Sequence, residues 1–121
     1  MIDIALDATI PTLRVVDVSC SLPTYTALGF ALTWQHQLTP DAPRLTSLQQ
    51  GVAQLFLTEH AVAPVGAVVY FDTRGLDALV ARAAAAGVLP TFGPENRPWG
   101  SREAYFTDPD GNVLRFGERL V

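Results

Sequence analysis

Alternating apolar and polar positions run through the start of the chain. Residues 8–16 alternate well enough to predict a first strand, and Pro11 marks a strand edge or a crossing point within it. Asp17 has the side chain of a helix N-cap, and residues 19–28 predict a helix that Gly29 ends. Because Pro23 weakens the first half of this helix, we expect its firm part to begin near that residue.

Three strands are predicted after this helix. Residues 30–37 have strand composition, and residues 38–43, with two prolines and an aspartate, predict a loop. Residues 45–49 and 52–58 then predict a hairpin that turns at Gln50-Gly51. The first half therefore reads as a strand, a helix and three strands.

The second half begins with another strand and helix. Residues 66–72 are rich in valine and aromatic residues, which favours a strand. Residues 74–86 predict the clearest helix of the chain, because alanine and leucine dominate it and Gly87 supplies a stop. Its apolar stripe has helical spacing and consists of Leu76, Leu79 and Val80.

The last third of the chain combines turn residues with strand patterns. Residues 91–100 predict a loop, because turn residues accumulate before Trp99. Residues 102–107 and 113–117 predict strands, and residues 108–111, Asp-Pro-Asp-Gly, predict the tight turn between them.

The element order indicates the same unit twice: a strand, a helix and three strands. Gly87 corresponds to Gly29 and the strand around Arg115 to the strand around Phe56, at an offset of roughly sixty residues. The fold class predicted is α+β, with two βαβββ repeats, about 8–60 and 64–118, in one domain spanning residues 1–121. Two such curled sheets would enclose an open cavity lined by every second residue of each strand.

Composition narrows the function classes. The 121 residues suffice for one domain, and 49% hydrophobic with 17% charged residues is typical of a folded globular chain. The formal charge is −4 without a basic stripe, so we expect no nucleic-acid partner. Arg82 interrupts the longest alanine-rich stretch, so we expect no membrane span, and residues 1–7 lack the features of a secretory signal. The single cysteine, Cys20, fits a cytoplasmic protein without an internal disulfide.

Several motifs together point to a known family. They are the Leu-Arg-Val-Val-Asp-Val opening, the Leu28-Gly29-Phe30 helix end and the Asp-Pro-Asp-Gly-Asn turn. With the element order, they make the chain resemble the glyoxalase/bleomycin-resistance/dioxygenase superfamily, whose members have the vicinal-oxygen-chelate fold. The block at residues 97–112, with Pro-Trp-Gly before an acidic-aromatic strand, looks most like the bleomycin-resistance branch.

The resemblance also indicates where metal-dependent members would hold a divalent ion. Those members place one His or Glu on each of four strands, and the matching positions here are Ile10, Phe56, Gly66 and Arg115. None has a metal-ligating side chain, and the neighbouring residues Thr9, Pro11, Val65 and Ala67 do not help. We therefore expect no metal, no cofactor and no catalytic residue, and neither glyoxalase, ring-cleaving dioxygenase nor fosfomycin-transferase activity.

The histidines and the cysteine do not suggest a second reactive site. His36 is at the end of a predicted strand and His60 just beyond another, and neither is at a predicted ligand position. Cys20 begins the first helix without a predicted base partner, so a cysteine–histidine nucleophile is not expected. We interpret the two histidines as surface or rim residues.

Strand alternation then predicts the cavity lining. Gln54, Phe56, Thr58, Val113 and Arg115 should face the cavity. The intervening positions should face the helices and form the core; they are Leu55, Leu57, Leu114 and Phe116. The strand at residues 102–107 should present Glu103, Tyr105 and Thr107 inward and bury Phe106.

Aromatic and charged side chains supply the candidate ligand contacts. Trp99, beside Gly100, is either a plug over the sheet end or a stacking platform for a flat ligand, and the resemblance favours the platform. Trp34 is expected in the core or the groove wall. Glu103 is either a solvated charge or the partner of a cationic ligand tail, and Arg115 within a cavity needs an acceptor, for which Glu103 is a candidate.

The resemblance implies a binding protein. The predicted function is sequestration of a cationic, planar bleomycin-family antibiotic by a homodimer that exchanges N-terminal strands near Pro11. Three alternatives remain open: a binder of another planar hydrophobic compound, a glyoxalase- or dioxygenase-type enzyme with a metal held elsewhere or none, and a regulatory or structural module.

Overall fold

Two four-stranded sheets and two helices form the molecule in a computed structural model that describes residues 3–121. In chain order the elements are β1 (Thr12–Arg14), α1 (Val18–Ala27), β2 (Ala31–Gln37), β3 (Arg44–Gln50), β4 (Ala53–Thr58), β5 (Val68–Asp72), α2 (Leu76–Ala85), β6 (Phe92–Arg97), β7 (Ser101–Thr107) and β8 (Val113–Arg119). The first sheet has the order β1-β4-β3-β2 and the second β5-β8-β7-β6. The predicted α+β fold of two βαβββ units is confirmed.

The first helix differs from the prediction. Pro23 lies inside α1, which begins at Val18 rather than near the proline. The first turn of the helix, before the proline, is held in place by two features. Asp17 accepts a 2.8 Å hydrogen bond from the Ser19 amide, and Val18 and Ser21 are buried. These contacts offset the hydrogen bond that a proline cannot donate.

Strand boundaries differ in two places. The first strand is confined to Thr12–Arg14 instead of residues 8–16. Residues 91–100, predicted as a loop, contain β6, which pairs antiparallel with β7 through Phe92 with Tyr105 and Arg97 with Ser101. Partly buried and exposed residues alternate only over the first four positions of β6, and its register with β7 shifts between Phe92 and Glu95, so main-chain pairing defines this strand.

The core lies between the sheets and the helices. The residues predicted to face the helices are fully or almost fully buried: Leu55, Leu57, Leu114, Phe116 and Phe106. On α2, Leu76, Leu79 and Ala83 complete this side. Because side chains alternate along a strand, the opposite faces of both sheets are left for the candidate site. Among residues 3–121 no helix is long and apolar enough to cross a membrane.

The Asp-Pro-Asp-Gly-Asn turn joins the two halves. The Tyr25 hydroxyl of α1 donates a 2.7 Å hydrogen bond to Asp108, which is buried. The Asn112 amide donates to the Arg14 carbonyl at 2.9 Å and to Asp108 at 2.8 Å, and it accepts from the Ala67 amide. This buried network fixes the position of β8 relative to the first half.

Candidate functional site

The predicted ligand-binding residues fall into two groups, one on each sheet. On the first sheet, the rings of Trp34 and Phe56 lie 5.3 Å apart, and the Trp34 side chain is 42% exposed. Gln54 shares their sheet and donates a 3.0 Å hydrogen bond to the Ser47 hydroxyl. Trp34 is therefore part of an open wall rather than of the core.

The second group borders a depression of about 530 Å³ on the other sheet. Trp99, Gly100, Glu103 and Arg115 line it, and Tyr105 lies beside Glu103. Four further residues complete the lining: Tyr70, Asp72, Ser101 and Arg119. All of them come from the second half of the chain, so this depression is separate from the Trp34–Phe56 wall.

The Glu103 carboxylate is the centre of this group and is 1% exposed. Oε2 accepts hydrogen bonds from the Trp99 indole at 2.9 Å and from the Ser101 hydroxyl at 2.6 Å. Oε1 accepts from Tyr105 at 2.9 Å and from Arg115 at 3.0 Å. The Glu103–Arg115 ion pair is the one considered from the sequence, and both carboxylate oxygens already have donors.

Burial and hydrogen bonding act in opposite directions on the pKa of Glu103. Removal from water raises this pKa, because it disfavours the charged carboxylate. The hydrogen bonds from Ser101, Trp99, Arg115 and Tyr105 outweigh burial and lower the pKa from 4.5 to about 2. Glu103 is therefore an anion at neutral pH whose charge is used within the protein.

The Trp99 indole is exposed but held in place. Its side chain is 59% exposed, and its ring nitrogen donates to Glu103. The Arg97 guanidinium lies 4.7 Å from the centre of the Trp99 ring and 4.9 Å from that of Phe92. Its ring nitrogen is bonded and the Arg97 guanidinium lies over the ring, so the indole is fixed in position while more than half of the residue stays exposed to a planar partner.

The Arg115 side chain lies between aromatic rings. Its guanidinium carbon is 4.6 Å from the centre of the Tyr105 ring and 5.7 Å from that of Tyr70. The hydrogen bond that Arg115 donates to Glu103 and the ion pair with this carboxylate raise the pKa of Arg115, against the effect of desolvation. Arg115 therefore keeps its positive charge and contributes flat polar surface to the depression.

The family's metal-ligand positions do not fit a divalent ion in this chain. Ile10 and Gly66 precede β1 and β5, and the residues paired with Phe56 and Arg115 in these strands are Thr12 and Tyr70. With either choice the positions supply no imidazole and no carboxylate, and the Arg115 cation occupies one of them. Nowhere in residues 3–121 do three His, Cys, Asp or Glu side chains form a group that could hold a metal ion.

Four lining residues were missed by the sequence analysis. Tyr70 and Asp72 lie on β5, where pairing with β8 puts Tyr70 beside Arg115 and Asp72 beside Gly117. Strand alternation could have found these two, because they share a face with Arg115. Ser101 could have been found by its spacing of two from Glu103, but Arg119 lies beyond the predicted end of the last strand. His36 and His60 are exposed, as interpreted from the sequence, and Cys20 is exposed as well.

Solved structures of similar shape include proteins that bind bleomycin. A bleomycin resistance determinant encoded on transposon Tn5 has a TM-score of 0.75 and 23% identity, covering 96% of this chain and 100% of that chain. A bleomycin-binding protein complexed with bleomycin has a TM-score of 0.70 and 22% identity, covering 94% and 99%. These two likenesses show the fold. No curated protein sequence matches the chain significantly.

Two further comparisons concern the family. A superfamily member from Sphaerobacter thermophilus has a TM-score of 0.72 and 27% identity, covering 94% of this chain and 98% of that chain. The profile of the Glyoxalase/Bleomycin resistance protein/Dioxygenase superfamily matches residues 6–116, which is nearly the whole chain. The protein therefore belongs to the Glyoxalase/Bleomycin resistance protein/Dioxygenase superfamily.

Proposed function

We propose that this protein binds a planar heteroaromatic compound without turnover, and that it sequesters an antibiotic of the bleomycin family. The observation that carries the proposal is the geometry of Trp99. Its indole is 59% exposed, while Glu103 holds its nitrogen and Arg97 covers one face. A ring held in this way loses little conformational freedom when a flat ligand stacks on it, so more of the contact energy appears as affinity.

The structural relatives support the choice of ligand. One is a bleomycin resistance determinant and another is a bleomycin-binding protein solved with bleomycin. Both cover nearly the full length of this chain, so the likeness includes both halves. That this chain binds the same ligand is our proposal, because sequence identities of 22–23% indicate a shared fold but not a shared ligand specificity.

The donor set supports binding rather than metal-assisted turnover. The superfamily includes enzymes, and its metal-dependent members need His or Glu where this chain has Phe56 and Arg115. Arg115 is committed to Glu103 by a 3.0 Å ion pair, so this position offers a cation and not a ligand to a metal. A stoichiometric binder needs only a shaped and preorganised surface, which the Glu103 network provides.

We further infer that the working form is a homodimer with exchanged N-terminal segments. The two groups of candidate contacts lie on different sheets, and β2 is exposed along its whole length. A second copy facing this one would close Trp34 and Phe56 over Trp99. Ile4 and Leu6 are 94% and 95% exposed ahead of Pro11, so exchange of this segment would bury two apolar side chains.

Recovery of the bound compound tests binding without turnover. The protein is incubated with metal-free bleomycin, and gel filtration removes the unbound compound. The retained compound is then released in denaturant, and its mass is measured by mass spectrometry. The proposal predicts retention of about one bleomycin per subunit with unchanged mass. A changed mass would favour an enzyme of the superfamily, and no retention at high micromolar concentration would favour a binder of another planar compound.

A further inference from the structure

We propose that Asp72 binds a cationic group of the ligand whose planar part lies on Trp99. The assignment rests on the proposed function and adds the residue that selects the charge of the ligand. It follows from the acidic side chains of the Trp99 depression, which are Glu103 and Asp72. Glu103 is 1% exposed and receives four hydrogen bonds, so it has no free lone pair directed toward a ligand.

Asp72 differs from Glu103 in exposure and in partners. It is the last residue of β5, is exposed, and pairs with Gly117 on the same sheet face as Tyr70 and Arg115. Within the described part of the chain its carboxylate forms no ion pair and accepts no side-chain hydrogen bond. Asp72 is therefore the carboxylate of the depression that is available to a ligand.

Covering the depression makes a charge partner for Asp72 necessary. A planar ligand on Trp99 would displace water from the neighbouring surface, and an unpaired carboxylate that loses water destabilises the complex. A cationic group on the ligand removes this penalty, and the ring of Tyr70, 48% exposed beside it, adds a cation–π contact. A cationic group on the ligand would thus contact both the Asp72 carboxylate and the Tyr70 ring.

The other charges of the depression determine where the cation lies. Arg115 is neutralised by Glu103, whereas Arg119 is exposed and forms no ion pair among residues 3–121. Arg119 repels a cation, so the cationic group must lie on the Asp72 side. Tyr70 and Asp72 also border a neighbouring depression of about 480 Å³, so the chain of a longer ligand could continue there.

Two planar dyes of opposite charge test the assignment. Proflavine is a flat cation and anthracene-2-carboxylate a flat anion, and both can be titrated calorimetrically into the wild-type protein. Asp72→Asn is expected to weaken proflavine binding about three- to tenfold and to leave the anthracene carboxylate unchanged or tighter. Asp77→Asn is the control for charge, because it removes the same charge from helix α2 outside the lining of the depression, where Asp77 pairs with Arg102 at 3.0 Å. Its dye affinities should equal those of wild type.

The outcomes separate this assignment from the proposed function. Proflavine binding that Asp72→Asn and Asp77→Asn leave equally strong overturns the role of Asp72, even if bleomycin binds. Equally weakened binding of both dyes to Asp72→Asn also overturns it, because this result indicates that the substitution changed the shape of the site and not only its charge. If neither dye nor bleomycin binds, the proposed function fails and the assignment fails with it. Unfolding curves of both variants in urea verify that each is folded.

Discussion

The indole nitrogen of Trp99 donates a 2.9 Å hydrogen bond to Oε2 of Glu103. This contact joins the exposed tryptophan of the β6–β7 turn to a buried carboxylate of β7. Oε1 of the same carboxylate holds Tyr105 and Arg115. A single acid thus orders the side chains of one wall of the depression, so changes at Glu103 should affect both stability and binding.

The pH dependence of stability should reveal the charge of Glu103. The pKa is about 2 in the folded state and 4.5 as the reference for the unfolded chain. A lowered folded pKa contributes stability that is complete above the unfolded pKa and is lost as the pH falls through 4.5 toward 2. Glu103→Gln should therefore lower the free energy of unfolding by roughly 3 kcal/mol at pH 7, with a smaller gap to wild type at pH 3. Urea unfolding at both pH values measures this, and a gap that stays constant would contradict it.

The buried Asn112 side chain should stabilise the junction of the two halves. It donates to the Arg14 carbonyl and to Asp108 and accepts from the Ala67 amide. Asn112→Ala removes all three hydrogen bonds and leaves the partly buried Arg14 carbonyl and Ala67 amide without these partners, so we expect a loss of about 2–4 kcal/mol in urea unfolding. Asn96→Ala, at an exposed position, should cost less than about 0.5 kcal/mol. Equal costs for the two variants would show that the network does not stabilise the fold.

Sequence patterns predict those parts of the structure that depend on one strand or one helix at a time. Leu55, Leu57 and Leu114 could be assigned to the core because strand alternation has a period of two. Strand β6 could not be recognised as a strand, because apolar and polar residues do not alternate in Phe-Gly-Pro-Glu-Asn-Arg. Main-chain pairing with β7 defines this strand. The local sequence pattern thus predicts the order of the elements and their buried faces. Strands such as β6 are defined only by their hydrogen bonds to a neighbouring strand.

The candidate site, too, could be predicted from the sequence only in part. The sequence places Glu103 and Tyr105 on one strand face and names Glu103 as a candidate partner of Arg115. It does not show that four donors meet at one carboxylate, because Trp99 and Arg115 reach Glu103 from a turn and a neighbouring strand. Through-space convergence of this kind depends on strand pairing, which a single sequence does not specify.

Gly117 should determine the position of the Tyr70 ring. A Cβ at residue 117 would overlap the hydroxyl end of Tyr70, so Gly117→Ala must displace this ring. Because the displaced group is the far end of an exposed side chain, we expect a stability loss below about 1 kcal/mol. Proflavine or bleomycin binding, measured by calorimetry, should weaken severalfold. Tyr70→Ala provides the comparison, and Gly117→Ala should add nothing to it; wild-type affinity in Gly117→Ala would contradict the role of Tyr70.

The N-terminal segment should control the oligomeric state. Ile4→Asp combined with Leu6→Asp introduces two charges into the segment proposed to exchange between copies. Sedimentation velocity at micromolar concentration should show a dimer for wild type and a monomer for this double variant, because burial of an unpaired charge opposes exchange. Val62→Asp, at a loop position that is 95% exposed, should remain dimeric. A double variant that sediments like wild type would place the dimer contact elsewhere, and a monomeric wild type would contradict the dimer itself.

The most direct test of the proposed function is a calorimetric titration of metal-free bleomycin into the wild-type protein and into Trp99→Ala. The proposal predicts tight binding at one ligand per subunit for wild type and a loss of at least about tenfold in affinity for the variant, equivalent to about 1.4 kcal/mol. Copper-loaded bleomycin serves as a second titrant for both proteins. Absence of heat with wild type at high micromolar ligand, or equal affinity of the two proteins, would contradict the account.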